Sequence, residues 1–140
     1  MGVVSDVQSY LETQGLIGGS TGWASIRRRI LDGGGDLDKI VSIKEDGGGG
    51  SPEIKASSGI GDAAIGKPGV LITVRAEAND GDASQAKAAA IFSALHSQSG
   101  SIGSGSYLVI QARTPEPVFV GFDERQRPLH TIGFVLMKLL

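Results

Sequence analysis

The stretch that decides the fold is GVLITVRA, residues 69–76, because it is the clearest strand pattern in the chain. Val70, Ile72 and Val74 fall on one face of an extended segment, and Leu71 falls on the other. Apolar side chains on both faces are typical of a strand inside a sheet. The pattern therefore predicts a central strand.

Further strands are predicted on both sides of this central one. Apolar residues recur at strand spacing in four segments, which are 39–45, 107–113, 118–122 and 129–139. The last two flank a turn at 123–128 and are interpreted as an antiparallel hairpin. The short segment 23–31 is also compatible with a strand.

Two helices are predicted, one before the central strand and one after it. The first spans Ser5 to Gln14, where Ser5 and Gln8 have the spacing of a capping box. The second spans Ala83 to His96 and follows Asp82, which can accept a hydrogen bond from the first turn. Both helices carry apolar residues at helical spacing, so we expect each to pack one face on the sheet.

Composition fits one globular domain with few aromatic side chains. The chain has 140 residues, of which 40% are hydrophobic, 5% are aromatic and 22 are glycines. Val, Ile, Leu and Ala must therefore build the core, while glycine-rich segments form turns and loops. The element order predicts a single α+β domain over 1–140: a small, mixed, mainly antiparallel sheet with two helices packed on it and long Gly-rich loops.

The longest loop is predicted at 46–68. It contains four consecutive glycines, Gly47, Gly48, Gly49 and Gly50. Packed loops of this length are uncommon, so we expect a segment that is mobile in the free protein and ordered by a partner. A second Gly/Ser-rich loop is expected at 97–106.

Charge and hydropathy argue against several classes of protein. The formal net charge is −2, which leaves no basic surplus to neutralise phosphates. Cysteine is absent, so the chain has neither disulfides nor thiolate chemistry. No apolar run reaches the roughly 18 residues of a membrane helix, and no signal-peptide pattern opens the chain. We expect a soluble protein with no membrane partner.

Two glycine-containing segments match enzyme motifs only in part. Gly61–Lys67 has the spacing of a P-loop, but Pro68 stands where Ser or Thr should bind magnesium, and a predicted strand follows instead of a helix. Gly18–Gly22 matches a nucleophile elbow, yet it follows a predicted helix and precedes a predicted strand. Both segments are interpreted as turns.

The titratable residues form no recognisable catalytic or metal-binding set. His96 and His130 are the only histidines, and they lack metal-ligand spacing. Pairs of acidic residues at 36/38 and 123/124 fall in predicted loops and turns, where such residues are common. We therefore expect no catalytic site, no metal and no cofactor, and a protein that is not an enzyme.

Arg27, Arg28 and Arg29 form a basic cluster. Such a cluster can contact DNA phosphates. The negative net charge and the scarcity of aromatic residues nearby favour instead a solvated face or ion pairing across a subunit interface.

The order of features along the chain carries a resemblance. A capped helix leads to Gly22-Trp23, and a strand with an acidic end, 39–46, runs into the glycine-rich loop. The more specific elements are a proline-led strand with Arg75, the Ala-rich helix after it, and Gly121-Phe122-Asp123 followed by Arg125 and Arg127. This order covers most of the chain and resembles the tail terminator proteins of long-tailed bacteriophages, which are also labelled minor capsid or tail completion proteins.

The resemblance implies a structural virion protein that works as a ring, usually of six subunits. Such a ring caps the tail tube, stops its polymerisation and offers its upper face to the head-completion, or stopper, protein. DNA would only pass through the lumen. The implied location is the neck of the virion, after assembly in the host cytoplasm.

Several residues are candidates for contacts within or between subunits. We expect Arg75 to pair with Asp123 or Glu124, and Arg125 and Arg127 to face a neighbouring subunit; the alternative is that all four are solvated charges. The loop at 46–68 would contact the tube or the stopper. The candidate interface residues are Arg27, Arg28, Arg29, Gly47, Gly48, Gly49, Gly50, Arg75, Asp123, Arg125 and Arg127.

Other functions stay open at this point. The chain could be another neck or tail component, such as a stopper or a tube protein. It could also be a cellular adaptor domain without a viral role. An enzyme would require the P-loop-like segment to bind a nucleotide.

Overall fold

The computed structural model describes residues 2–28, 30, 38–46, 54–55 and 64–139. These residues form two α-helices and nine strands, in the α+β class that the sequence predicts. In chain order the elements are α1 (Val3–Thr13), β1 (Ala24–Ile26), β2 (Ile40–Glu45), β3 (Ile54–Lys55), β4 (Ala64–Gly66), β5 (Gly69–Arg75), α2 (Gly81–Leu95), β6 (Gly100–Ile102), β7 (Gly105–Ala112), β8 (Val118–Phe122) and β9 (Pro128–Leu139).

One mixed sheet contains all of these strands. Its order is β1-β2-β5-β9-β4-β3, and β7 and β8 both pair with β9, while β6 pairs with β7. The β1–β2 pair is parallel, whereas β5, β7, β8 and β4 each run antiparallel to β9. The predicted central position of β5 is confirmed, since it lies between β2 and β9.

The last strand shows how the sequence builds the core. Alternate residues of β9 are buried, from Pro128 through His130, Ile132 and Phe134 to Leu136, and those between them are half-buried. Because successive strand side chains point to opposite faces, one face of the sheet carries the buried set. Both helices contribute apolar side chains to the same core, including Leu11 of α1 and Ile91 of α2.

Both predicted helix caps are wrong. α1 begins at Val3 with Gly2 at its N-cap, and Ser5 is buried inside the helix. Gln8 does not reach back to Ser5; its side-chain amide donates to Ser25 Oγ over 2.8 Å. α2 begins at Gly81, two residues earlier than expected, and its N-cap is Asp80, whose side chain accepts from the Ala83 amide at 3.2 Å.

Two predicted loops contain strands. The Gly/Ser segment 97–106 forms most of the β6–β7 hairpin, because Ile102 and Tyr107 are buried in the core and anchor it. Within 46–68, β3 and β4 add to the sheet, since β9 is longer than β5 and leaves Lys138 and Leu139 for β4. The four glycines at 47–50, and the expected mobility of their loop, lie outside the described residues.

Candidate assembly surface

Strand β8 exposes large apolar side chains. Val118, Phe119, Val120 and Phe122 are each between 43% and 53% exposed. Within the described part of the chain, β8 pairs only with β9 and so lies at an edge of the sheet. Exposed apolar residues grouped on an edge strand mark a surface that is suited to a protein partner.

A β-bulge determines which way these side chains point. Phe119 pairs with His130 and Gly121 pairs with Leu129. A step of two residues in β8 therefore corresponds to a step of one residue in β9. The extra residue is Val120, and Gly121 has a φ of +112°, which favours glycine. Phe119 and Phe122 therefore share one face although they are three residues apart, and their rings meet edge to face with centroids 5.3 Å apart.

A groove of about 720 Å³ lies between this face of β8 and helix α2. Its apolar walls come from Phe92 of α2, from Phe119 and Phe122, and from Pro115 and Pro117 of the preceding segment. The acidic side chains in its lining are Asp82 and Glu116, both exposed, and no Lys or Arg among the described residues lines it. The groove therefore combines apolar walls with polar groups, among which the two carboxylates are the only charged side chains that its described lining contains.

His130 and Ser84 lie beneath this groove. Ser84 Oγ and His130 Nδ1 are 2.5 Å apart, and the Phe119 ring packs on the imidazole with centroids 5.2 Å apart. Burial lowers the pKa of His130, which favours the neutral imidazole. The Ser84 side chain is fully buried, so its hydroxyl has no access to a substrate from solvent. The pair supports the groove floor.

The opposite edge of the sheet carries basic side chains. Arg27 and Arg28 follow β1 directly and are exposed, although Arg27 Nε also donates to Gln8 Oε1. Trp23 precedes β1 at its other end, and the ammonium groups of Lys39 and Lys87 lie 5.2 and 5.3 Å from the centroid of its ring system. This places positive charge at the β1 edge.

A cluster of charged side chains holds the turn between β8 and β9. Arg127 Nε donates to Asp123 Oδ2 over 2.7 Å, and Arg127 Nη1 donates to Asp38 Oδ1 over 2.9 Å. Arg75 Nη1 lies 3.8 Å from Asp123 Oδ2, and Arg75 Nε donates to the Asp38 carbonyl over 3.3 Å. The sequence hypothesis paired Arg75 with Asp123 or Glu124, and in the structure the carboxylate near Arg75 is that of Asp123.

The expectation that Arg127 faces a neighbouring subunit is wrong. Its side chain is only 3% exposed and is turned inward onto Asp123 and Asp38. A guanidinium can be buried here because two carboxylates accept its hydrogen bonds. Of the five charged residues named in the sequence hypothesis, only Arg125 and Glu124 are exposed.

Hydrogen bonding lowers the pKa of Asp123. Burial alone would raise it, but the backbone and side chain of Arg127 and the backbone of Arg125 donate to the carboxylate and outweigh burial. The pKa of Arg127 is raised, since the hydrogen bonds and charges of Asp38 and Asp123 outweigh its desolvation. Both groups stay ionised at neutral pH and form a rigid base for β8.

A second buried carboxylate joins α1 to the β6–β7 hairpin. Asp6 accepts from the Tyr107 hydroxyl at 2.6 Å and from the backbone and hydroxyl of Ser104, each at 3.0 Å. Burial would raise the pKa of Asp6, but these bonds and the charge of Lys138 lower it. Burial and the neighbouring carboxylate raise the pKa of Tyr107. The arrangement is structural, since all of its members are satisfied by one another.

The structure brings together only some of the predicted interface residues. Arg75, Asp123 and Arg127 form one cluster, whereas Arg27 and Arg28 lie at the far edge of the sheet. Arg29 and Gly47 to Gly50 lie outside the described residues. Sequence reasoning missed Phe119 and Phe122 as surface residues; the glycine inside an apolar strand segment was the available signal for a bulge.

The described parts of the segments that resembled enzyme motifs form turns and strands. Gly66 ends β4 and β5 begins at Gly69, so a strand follows the P-loop-like segment. The segment 19–21 is a single 3-10 turn between α1 and β1. The described residues contain no group of three or more potential metal ligands. Among the described helices, none combines the length and apolar character needed to span a membrane.

Comparisons with known proteins give a likeness in fold. No protein-family model matches the sequence, and no curated protein matches it significantly. A chain in the solved structure "Virion of native gene transfer agent (GTA) particle" matches with a TM-score of 0.63 and 16% sequence identity. The match covers 99% of this chain and 95% of that chain. At this identity the likeness shows that the two chains share a fold over nearly their whole lengths.

Proposed function

We propose that this chain is a structural protein of a phage-like virion, and more specifically a tail terminator. In this role, copies of the chain form a ring, with six subunits as the expected number, on top of the tail tube. The ring stops tube polymerisation and joins the tail to the head-completion protein. DNA crosses the lumen without being bound, and the ring is located in the virion neck after assembly in the host cytoplasm.

The observation that carries this proposal is the fold likeness to a chain of a gene transfer agent virion. The match extends over 99% of one chain and 95% of the other, so it concerns the whole domain and not a common sheet fragment. The order of sequence features, from the proline-led strand to Gly121-Phe122-Asp123, supports the finer assignment to tail terminators.

The surface of β8 supports a role in assembly. Phe119 and Phe122 are half-exposed on the same face beside an open groove. Their backbone is held by the buried cluster of Arg75, Asp123 and Arg127. Such an exposed apolar face on a rigid base is suited to permanent contacts between subunits.

The oligomeric state of the purified full chain tests the proposal. We expect native mass spectrometry and negative-stain electron microscopy to show one closed ring of fixed stoichiometry that does not grow with concentration. Open filaments would support the tube-protein alternative. A monomer or dimer at every concentration would contradict a ring and favour an adaptor domain.

We further propose that the chain has no enzymatic activity. The P-loop-like segment is followed by a strand and lacks the Ser or Thr that binds magnesium. Isothermal titration of the purified chain with ATP and magnesium should give no binding heat. A saturable heat that is lost in the Lys67→Ala variant would contradict this proposal.

A further inference from the structure

The basic residues at the β1 edge and the acidic residues near the β8 edge lie at similar positions along the strand direction of the sheet. Strand pairing runs from Ile26 to Ser42, Thr73, Thr131 and Val118, across β1, β2, β5, β9 and β8. This row contains five strands, so its ends are about 19 Å apart at the usual strand spacing. Ile26 and Val118 therefore lie at the same position along the strand direction, one at each edge of the sheet.

Charged residues lie next to Ile26 and Val118 along the chain. Arg27 and Arg28 follow Ile26 in β1. Glu116 and Pro117 come directly before Val118, the first residue of β8, and β8 runs antiparallel to β9. Since β1 and β9 run in the same direction, Arg27 and Pro117 extend past the row on the same side. Glu116 is then close to the level of Arg27.

We propose that the groove between α2 and β8 receives the β1 edge of a second copy of this chain, with Arg27 and Arg28 of that copy against Glu116 and Asp82. The inference rests on the proposed ring and gives it a direction: each subunit offers one edge and receives the opposite edge of its neighbour. A head-to-tail contact of this kind closes into a ring when its rotation permits.

The chemistry of the groove favours a second copy as its occupant. The groove has two exposed carboxylates, and none of its described lining residues is Lys or Arg, so it fits a surface with basic residues beside apolar ones. The β1 edge has this character, because Ile26 is half-buried next to the two exposed arginines. Both halves of the contact are thus present on one chain.

Phe119 and Phe122 are too small a surface to hold a partner alone. Two half-exposed phenylalanines offer about 200 Å², whereas a standard interface buries roughly 800 Å² on each partner. The charged rim is therefore required to extend the contact and to select the partner edge. Reversing one charge should weaken association, and reversing both should restore it.

A charge-swap series tests the contact. Glu116→Lys and Arg27→Glu should each weaken association about tenfold or more, and the double variant should recover most of the wild-type affinity. Glu124→Lys is the matched control, because Glu124 is exposed in the β8–β9 turn and does not line the groove. Light scattering measures association, and thermal melting verifies folding.

Cysteine cross-linking keeps the test independent of any folding defect in the Arg27 variant. The natural chain has no cysteine, so Glu116→Cys and Arg28→Cys introduce the sole thiols. Oxidation of the double-cysteine chain should give a ladder of linked subunits, while each single-cysteine chain stays unlinked. Dimers of the Glu116→Cys variant alone would instead indicate a two-fold contact and overturn the proposed direction.

The outcomes separate this contact from the ring itself. Wild-type rings that persist in all charge variants, together with no ladder, would overturn the contact and leave the proposed ring standing. A wild-type chain that never associates would overturn both. Rings that are lost in Glu116→Lys, kept in Glu124→Lys and restored in the double variant would support both.

Discussion

The Tyr107 hydroxyl donates a 2.6 Å hydrogen bond to the Asp6 carboxylate, although the two residues are 101 positions apart. Both side chains are buried. The bond fixes helix α1 against the β6–β7 hairpin, so the N-terminal helix and this hairpin depend on each other for stability. It is accompanied by two bonds from Ser104.

Removal of this bond should destabilise the protein in a pH-dependent way. We expect Tyr107→Phe to cost about 1.5–3 kcal/mol near neutral pH, because a hydrogen bond to a charged group is lost. The folded-state pKa of Asp6 is lowered, so its contribution is present above the unfolded-state pKa of about 3.9 and is lost as the pH falls through the folded-state value.

Urea unfolding of the wild type and of Asp6→Asn at neutral and acidic pH checks the sign of this effect. The difference in unfolding free energy should shrink as the pH falls below about 4. A difference that stays constant over this range would show that the Asp6 charge contributes nothing to the fold.

Close packing around Asp6 should make Gly103 intolerant of substitution. A Cβ at Gly103 would lie 2.6 Å from the Asp6 Cα, and the residue has a φ of +59°. We expect Gly103→Ala to lose at least about 1–2 kcal/mol from the backbone conformation alone. Gly81→Ala is the control, because a Cβ at Gly81 would meet nothing within 4 Å. This substitution should stabilise the protein by about 0.4–1 kcal/mol. Thermal melting compares the two.

The buried position of Arg127 should make it far more sensitive than its exposed neighbour Arg125. Arg127→Met leaves Asp123 without its closest cation, and removal of one partner of a buried pair costs about 3–5 kcal/mol. We expect the lower end of this range, because Arg75 stays 3.8 Å from the same carboxylate. Arg125→Met should change stability by no more than about 0.5 kcal/mol. Equal effects in denaturant unfolding would contradict the assigned roles.

Phe122 should matter for assembly and little for folding of the subunit. Its side chain is 53% exposed, so Phe122→Ser should leave the melting temperature of the monomer nearly unchanged while reducing the fraction in rings. Leu108→Ser is the matched control, since Leu108 is 45% exposed on β7 and does not line the groove. Size-exclusion chromatography with light scattering measures the difference, and equal loss in both variants would argue against a specific surface.

Sequence patterns were reliable where a residue's role depends on its near neighbours. The alternation in 69–76 and 129–139 gave strands β5 and β9, and the turn residues between 118–122 and 129–139 gave the final hairpin. The predictions of caps at Ser5 and Asp82 were wrong, because Gly2 and Asp80 are also able to occupy N-cap positions and local propensity does not choose between such neighbours.

The predicted loop at 97–106 was wrong for a different reason. A glycine- and serine-rich segment has a low intrinsic tendency to form strands. Here Ser104 bonds to Asp6, and a side chain at Gly103 or Gly105 would collide with that residue. The hairpin therefore depends on a helix about a hundred residues away, and no local pattern contains that information.

By itself, the sequence determined the period-two strands, the two amphipathic helices and hence the α+β class, since these follow from which neighbouring side chains are apolar. Only the tertiary structure decided that Arg127 turns inward while Arg125 stays in water, and that Phe119 and Phe122 face one groove. A guanidinium can be buried only where folding brings carboxylates to it, and the direction of an edge-strand side chain depends on pairing with a distant strand. These long-range contacts place the acidic groove and the arginines at opposite edges of one sheet.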